Sequence, residues 1–207
     1  MTTQSVRILL GSLLVFAATS TGGSIGSAQS STPPLAINTA RISITGTSNV
    51  HDYAASTTNA RVTRARFAAT AAGGTFWDDL QVPGRLEAFD LSIPAVSLTS
   101  PKGDLDENMH KALKVTQHPE ITFSLTRLEG TAGMLMASGT LSIAGVAREV
   151  TFPLNTTRTG DNLTVTGTLD LLMTDYGIAP PKAMLGMIKA GPGLALTFEI
   201  LVAITTT

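Results

Sequence analysis

The sequence predicts an all-β domain of eight antiparallel strands with one or two short helices. Three observations carry that reading. Apolar residues recur at every second position through most of the chain. Glycine-containing turns separate several of these alternating runs at hairpin spacing. The 207 residues are 43% hydrophobic but only 5% aromatic and 14% charged, with 19 Gly and 10 Pro, which favours strands and turns over a helical bundle.

The amino-terminal segment reads differently from the rest. Arg7 precedes an apolar run from Ile8 to Ala18, and Gly26-Ser27-Ala28 forms a small-residue cleavage pattern. Residues 1–28 are therefore expected to be a secretory signal peptide, since a membrane-spanning helix needs about 20 apolar residues. Residues 29–35 read as a flexible linker and 36–207 as one domain, matching roughly 100–200 residues per domain. A periplasmic or secreted location follows as an expectation.

Strict alternation gives each strand one apolar and one polar face. The first strand, 36–46, carries Ile42 and Ile44 between Arg41, Ser43 and Thr45. The second, 61–71, carries Arg61, Arg64 and Arg66; the last two share a face, read as solvated. The third, 85–98, alternates through Phe89, Leu91 and Ile93. The fourth, 121–129, alternates through Ile121, Phe123 and Leu125. Strands at 133–143, 147–158 (Val150, Phe152, Leu154) and 162–173 (Leu163, Val165) follow as a meander. The last, 193–205, runs Leu194, Leu196, Phe198, Ile200, Val202 and Ile204. Gly130 to Gly133, Ala144-Gly145 and Gly160-Asp161 supply the turns.

Two segments break this rhythm. In 101–120, Asp104 is placed as an N-cap with Glu107 three residues on, and Leu105, Met109 and Leu113 share one helical face. The spacing predicts a helix over 104–114. In 180–193, Pro180-Pro181 and Gly191-Pro192 bracket Met184, Leu185, Met187 and Ile188. That segment reads as a short helix or a partly helical loop.

Closure of eight strands into a barrel removes exposed sheet edges, and a barrel of that size either fills with side chains or holds one small ligand. Sparse aromatics favour a hollow, apolar lumen. Two sheets packed as a sandwich would show the same alternation without a cavity, so pattern leaves both open.

The stretches DLDENMHKALKVTQHPEITFSLT (104–126), ASGTLSIAGVAREVTFPL (137–154) and TDYGIAPPKAMLGMIKAG (174–191) together resemble the YceI-like family of bacterial polyisoprenoid-binding proteins. The likeness spans about 36–204. It implies an eight-stranded antiparallel, lipocalin-like barrel with a helix against it, holding a long isoprenoid chain in an apolar lumen. The segment GTSNVHDY (46–53) departs from members whose first hairpin carries a different histidine.

Composition excludes several other functions. Fourteen Lys and Arg against fifteen Asp and Glu give no basic patch for nucleic acid, and the absence of Cys removes thiol nucleophiles and Cys-based zinc sites. The three histidines lack metal-ligand spacing, and no cofactor is implied. Gly22-Gly23-Ser24-Ile25-Gly26 matches a nucleophile-elbow string but lies in the expected signal peptide, with no strand before it.

The leading expectation is an exported protein that sequesters an isoprenoid-like or other long-chain lipid. Strand parity places Phe89, Leu91, Phe123, Leu125, Phe152, Leu169 and Leu196 around the tail. Leu105, Met109, Leu113 and Met184 are expected to cap the mouth, with Tyr176 offering a ring and a hydroxyl there. His51, Asp52 and His110 are the polar headgroup candidates. The competing expectations are a filled barrel acting through protein contacts, as in an envelope stress response, and a lipid-modifying enzyme. No membrane span is expected, and both a monomer and a homodimer fit the sequence.

Overall fold

A computed structural model describes residues 35–68, 84–131, 133–183 and 186–204. The expected signal peptide, most of the linker and Met184 lie outside the described residues. The strands are β1 (Leu35–Ser48), β2 (Tyr53–Thr57), β3 (Arg61–Phe67), β4 (Leu86–Pro94), β5 (Glu120–Thr131), β6 (Met134–Ile143), β7 (Val146–Thr159), β8 (Asn162–Leu172), β9 (Lys182–Ala183) and β10 (Ile188–Ile204). Among the described residues, one α-helix, α1 (Gly103–Leu113), and two short 3-10 turns complete the fold.

All pairings are antiparallel, in the order β2-β1-β10-β8-β7-β6-β5-β4-β3, with β9 paired to β10 alone. The two strands at the ends of that path, β2 and β3, are consecutive in the chain and separated only by residues 58–60. So short a link forces the sheet to curl until its ends approach each other. A bridge between Ser56 and Thr99 then ties β2 to the segment that follows β4. This curled sheet agrees with the expected barrel and not with the sandwich.

The eight expected strands appear as β1, β3 to β8 and β10. The sheet has ten, because β2 and β9 also form. Tyr53-Ala-Ala-Ser-Thr57 turns Tyr53, Ala55 and Thr57 inward, one large residue followed by two small ones, too short a run to register as alternation. The expected helix or loop at 180–193 instead contains β9 and the start of β10. Gly191 and Pro192, expected as a stop, lie inside β10 at an irregularity opposite Thr47. Proline survives there because the β8 ladder begins only at Gly193.

Helix α1 begins one residue earlier than expected. Its N-cap is Lys102, which makes no side-chain cap, and Asp104 lies within the first turn. Asp106 instead reaches back to the segment before the helix, its Oδ1 accepting the Ser100 backbone N–H at 2.6 Å. The Ala144-Gly145 turn carries φ of 50° and 81°, the doubly left-handed geometry that suits a two-residue hairpin.

Bulges adjust the parity read from sequence. An irregularity in β3 between Val62 and Arg64 brings Arg61 onto the same outer face as Arg64 and Arg66. Each is then paired: Arg61 with Glu120 at 2.9 Å, Arg64 with Asp90 at 2.7 Å and Arg66 with Glu87 at 2.8 Å. Inside the curl, buried residues form two clusters. One contains Ile42, Ile93, Leu113, Ile121, Leu141, Leu171 and Tyr176; the other contains Leu35, Ala40, Leu163, Ile200 and Val202. Leu91 and Phe198 pack against both.

Candidate functional site

Between and beside these clusters lies a cavity of about 960 Å³. Its wall follows from strand parity: alternate residues of β1, β4 to β8 and β10 face inward, and those residues are overwhelmingly Leu, Ile, Val and Phe. Phe89, Leu91, Phe123, Leu125, Phe152, Leu169 and Leu196 all line it. Leu105, Met109 and Leu113 line it from one face of α1, and Tyr176 from the turn after β8. The lumen is therefore hollow, unlike the filled core of the competing expectation.

The aromatic residues lie along the wall. Phe123 and Phe152 have ring centroids 5.5 Å apart, and Phe152 meets Phe198 edge-on at 5.9 Å. Such tilted contacts match positive ring edges to negative faces.

Polar side chains are a minority of the lining and fall in two zones. Within the apolar wall they are hydroxyls, those of Tyr53, Thr57, Thr122, Thr156 and Tyr176. The Tyr53 hydroxyl is buried without a hydrogen-bond partner, and burial raises its pKa. Burial also raises that of Tyr176, reinforced by the negative charge of Asp175 and opposed by Arg148. Thr57 Oγ1 lies 2.7 Å from Ser97 Oγ, and Ser97 donates to Pro94 O at 2.7 Å, which anchors β2 to the turn after β4.

The charged side chains Asp52, Lys102, Asp104 and Lys182, with the His51 imidazole and the Asn108 amide, lie only where the lining is exposed. These residues mark the mouth. His51 and Asp52 occupy the β1–β2 turn, where Ser48 Oγ accepts the backbone N–H groups of Val50 and His51 at 3.2 and 3.1 Å. The His51 ring turns to the Asp52 carbonyl, with Nδ1 at 3.1 Å from that oxygen. His110, grouped with them in the sequence, does not line the cavity. Its Nε2 donates to Leu98 O at 2.8 Å and ties α1 to the preceding segment.

Sequence reasoning missed three parts of this site. Asn49 joins the β1–β2 turn to the β9–β10 hairpin through Met187 O and Lys189. Tyr53 was visible only as the aromatic after His51-Asp52. Gly46, Gly139 and Gly167 take inward positions within otherwise apolar rows, a signal that a parity count over glycines would have found. Among the described residues, no cluster of three or more His, Cys, Asp and Glu is placed to hold a metal. No helix among them is long and apolar enough to cross a membrane.

Comparison with known proteins bears on this arrangement. No curated protein sequence matches the chain. Among solved structures, it is similar to Burkholderia cenocepacia BcnA, at 16% identity and a TM-score of 0.60 over 79% of this chain and 96% of that one. It is similar to a polyisoprenoid binding domain from Saccharophagus degradans, at 12% identity and a TM-score of 0.63 over 84% and 100% of the two chains. A Campylobacter jejuni YCEI protein gives 14% identity and a TM-score of 0.55 over 96% and 100%. At these identities the likeness is one of fold. A model of the YceI-like domain matches residues 35–202, the stretch that builds the curled sheet and nearly all of its apolar lining, and the chain accordingly belongs to the YceI-like family.

Proposed function

We propose that this protein sequesters a single long-chain, isoprenoid-like lipid, with the tail inside the barrel and the headgroup at the mouth. The observation that carries the reading is the 960 Å³ cavity with its charged groups confined to the rim. An apolar tail gains roughly 0.8 kcal/mol for each CH₂ it buries, whereas a charged headgroup inside the lumen would meet only hydroxyls. The Saccharophagus degradans neighbour, a polyisoprenoid binding domain, supports the same ligand class.

In this reading Phe89, Leu91, Phe123, Leu125, Phe152, Leu169 and Leu196 hold the tail. Leu105, Met109, Leu113 and Tyr176 cover it, and His51 and Asp52 meet the headgroup. The protein acts by binding and release rather than by reaction. Arg7, the apolar run from Ile8 and the small residues around Ala28 support export to the periplasm or beyond.

The test is purification of the full chain from its native envelope without detergent, followed by solvent extraction and mass spectrometry. The expected result is one class of prenyl or comparable long-chain lipid at near-stoichiometric yield. An empty extract, with added lipid also failing to bind, would overturn the reading.

A further inference from the structure

We propose that Gly167, Gly139 and Gly46 set the bore of the lumen, and with it the longest tail the protein accepts. The inference rests on the tail-binding reading above and deepens it. Each glycine lies at an inward position in a row of apolar residues. Gly167 follows Leu163 and Val165, Gly139 follows Leu135 and Ala137, and Gly46 follows Ile42 and Ile44. An aromatic ring from a neighbouring strand covers each one.

The fit is close. A methyl group on Gly167 would stand 2.5 Å from Phe198 Cζ and 3.0 Å from Pro153 O. One on Gly139 would stand 2.7 Å from the Phe123 ring, and one on Gly46 would collide with the Tyr53 ring. The glycines are the recesses into which these rings recline. Since backbone closes the other side at Gly167 and Gly139, a ring displaced from its recess moves into the lumen. Phe152 touches both Phe123 and Phe198, so the displaced rings would narrow one shared zone.

The capacity follows from volume. At roughly 30 Å³ for a methylene-sized group, the share of liquid volume that a water takes, a cavity of 960 Å³ holds about 30 carbon atoms. That equals about six isoprene units. Longer tails must leave their excess outside, where it gains no burial. The added methyl alone takes about one carbon's share of that volume, and a ring swung out of its recess across the lumen denies the tail about one isoprene unit.

The test measures displacement of N-phenyl-1-naphthylamine from the full chain by prenols of increasing length. Wild-type affinity should climb up to about six isoprene units and then level off. Gly167→Ala should weaken binding of the six-unit prenol about tenfold or more, while farnesol changes less than about twofold. Adding Phe198→Ala to Gly167→Ala removes the displaced ring and should restore the longer tail.

Affinity that keeps climbing well past six units would overturn the ceiling. A folded Gly167→Ala protein that matches wild type at every length, or a double variant that restores nothing, would overturn the glycine's role. If Gly167→Ala fails to fold by circular dichroism, Phe198→Ala alone decides, since it removes six ring carbons: a ceiling raised by about one unit supports the proposal, and an unchanged ceiling overturns it. Failure of wild type to bind any prenol is a separate outcome, and it removes the underlying reading instead.

Discussion

Asn49 and Lys189 hold each other twice at the rim of the barrel. The Asn49 backbone N–H donates to Lys189 O at 3.1 Å, and the Lys189 N–H donates to Asn49 Oδ1 at 2.7 Å. Asn49 Nδ2 adds a bond to Met187 O at 2.9 Å. One side chain therefore fastens the β1–β2 turn, which bears His51 and Asp52, to the hairpin that bears Lys182.

Replacing Asn49 with Ala removes both side-chain bonds and leaves the backbone bond. Asn49 is exposed, so water can satisfy the freed groups and the cost to global stability should be about 1 kcal/mol. The larger effect is local. Hydrogen exchange should accelerate at 48–52 and 187–189 and remain unchanged in β6 and β7. Equal acceleration throughout the sheet would show that the clamp acts on the whole fold.

Helix α1 covers the lumen through Leu105, Met109 and Leu113, and two polar bonds tether it from behind. These are the Ser100 N–H to Asp106 Oδ1 and the His110 Nε2 to Leu98 O. Asp106→Ala deprives Ser100 of a charged acceptor near the helix start, at a cost of about 1–2 kcal/mol. The prediction is faster release of a preloaded prenol in a stopped-flow displacement experiment, with a smaller change in its equilibrium affinity. His110→Ala should act in the same direction, since its ring tethers the helix and does not line the lumen.

Much of this architecture was legible because burial acts at every second residue of a strand. Phe123 and Leu125 face the lumen as alternation requires, and the bulge that follows Leu125 keeps Arg127 and Glu129 out of it. What parity could not supply was anything decided by backbone geometry or by a distant partner. Arg61 joins Arg64 and Arg66 only because β3 bulges. Strand β2 forms because β1 offers a free edge, which its small side chains do not announce. Asp104 has the residue type and spacing of a cap, yet the chain turns into the helix at Lys102, and Asp106 reaches Ser100 instead. Parity turns Gly139 and Gly167 inward, but which ring reclines on each is set by neighbouring strands and is not legible along the chain.

The outer face of β3 to β5 carries a pH-dependent contribution to stability. The buried Ser92 hydroxyl donates to Glu120 Oε2, and Arg61 donates to Oε1 at 2.9 Å. The Ser92 hydrogen bond, followed by Arg61, holds the Glu120 carboxyl below its ordinary value of 4.5. The unfolded chain then binds the proton more readily than the folded one. The contribution is fully present above the ordinary value and is lost as pH falls through the depressed one. Glu120→Gln should therefore lower the melting temperature at neutral pH, and the gap to wild type should shrink as the buffer is taken below pH 4.5. A gap independent of pH would assign the effect to packing.

A charge placed on either side of one strand provides the most direct test of the hollow itself. Leu196 faces the lumen and its neighbour Thr197 is exposed on the outer wall. Leu196→Glu puts a carboxylate among Phe198, Leu169 and Ile44, where nothing pairs with it. In a packed core that would cost several kcal/mol and threaten folding. In a cavity open to solvent at one end, water can follow the charge, so the loss of stability should fall toward about 2–3 kcal/mol while binding of any apolar tail is abolished. Thr197→Glu, one residue away, should leave both stability and binding within about 0.5 kcal/mol of wild type. Thermal melts and probe displacement on the two variants separate the cases. If both variants bind prenols as wild type does, the tail does not lie where the β10 parity puts it.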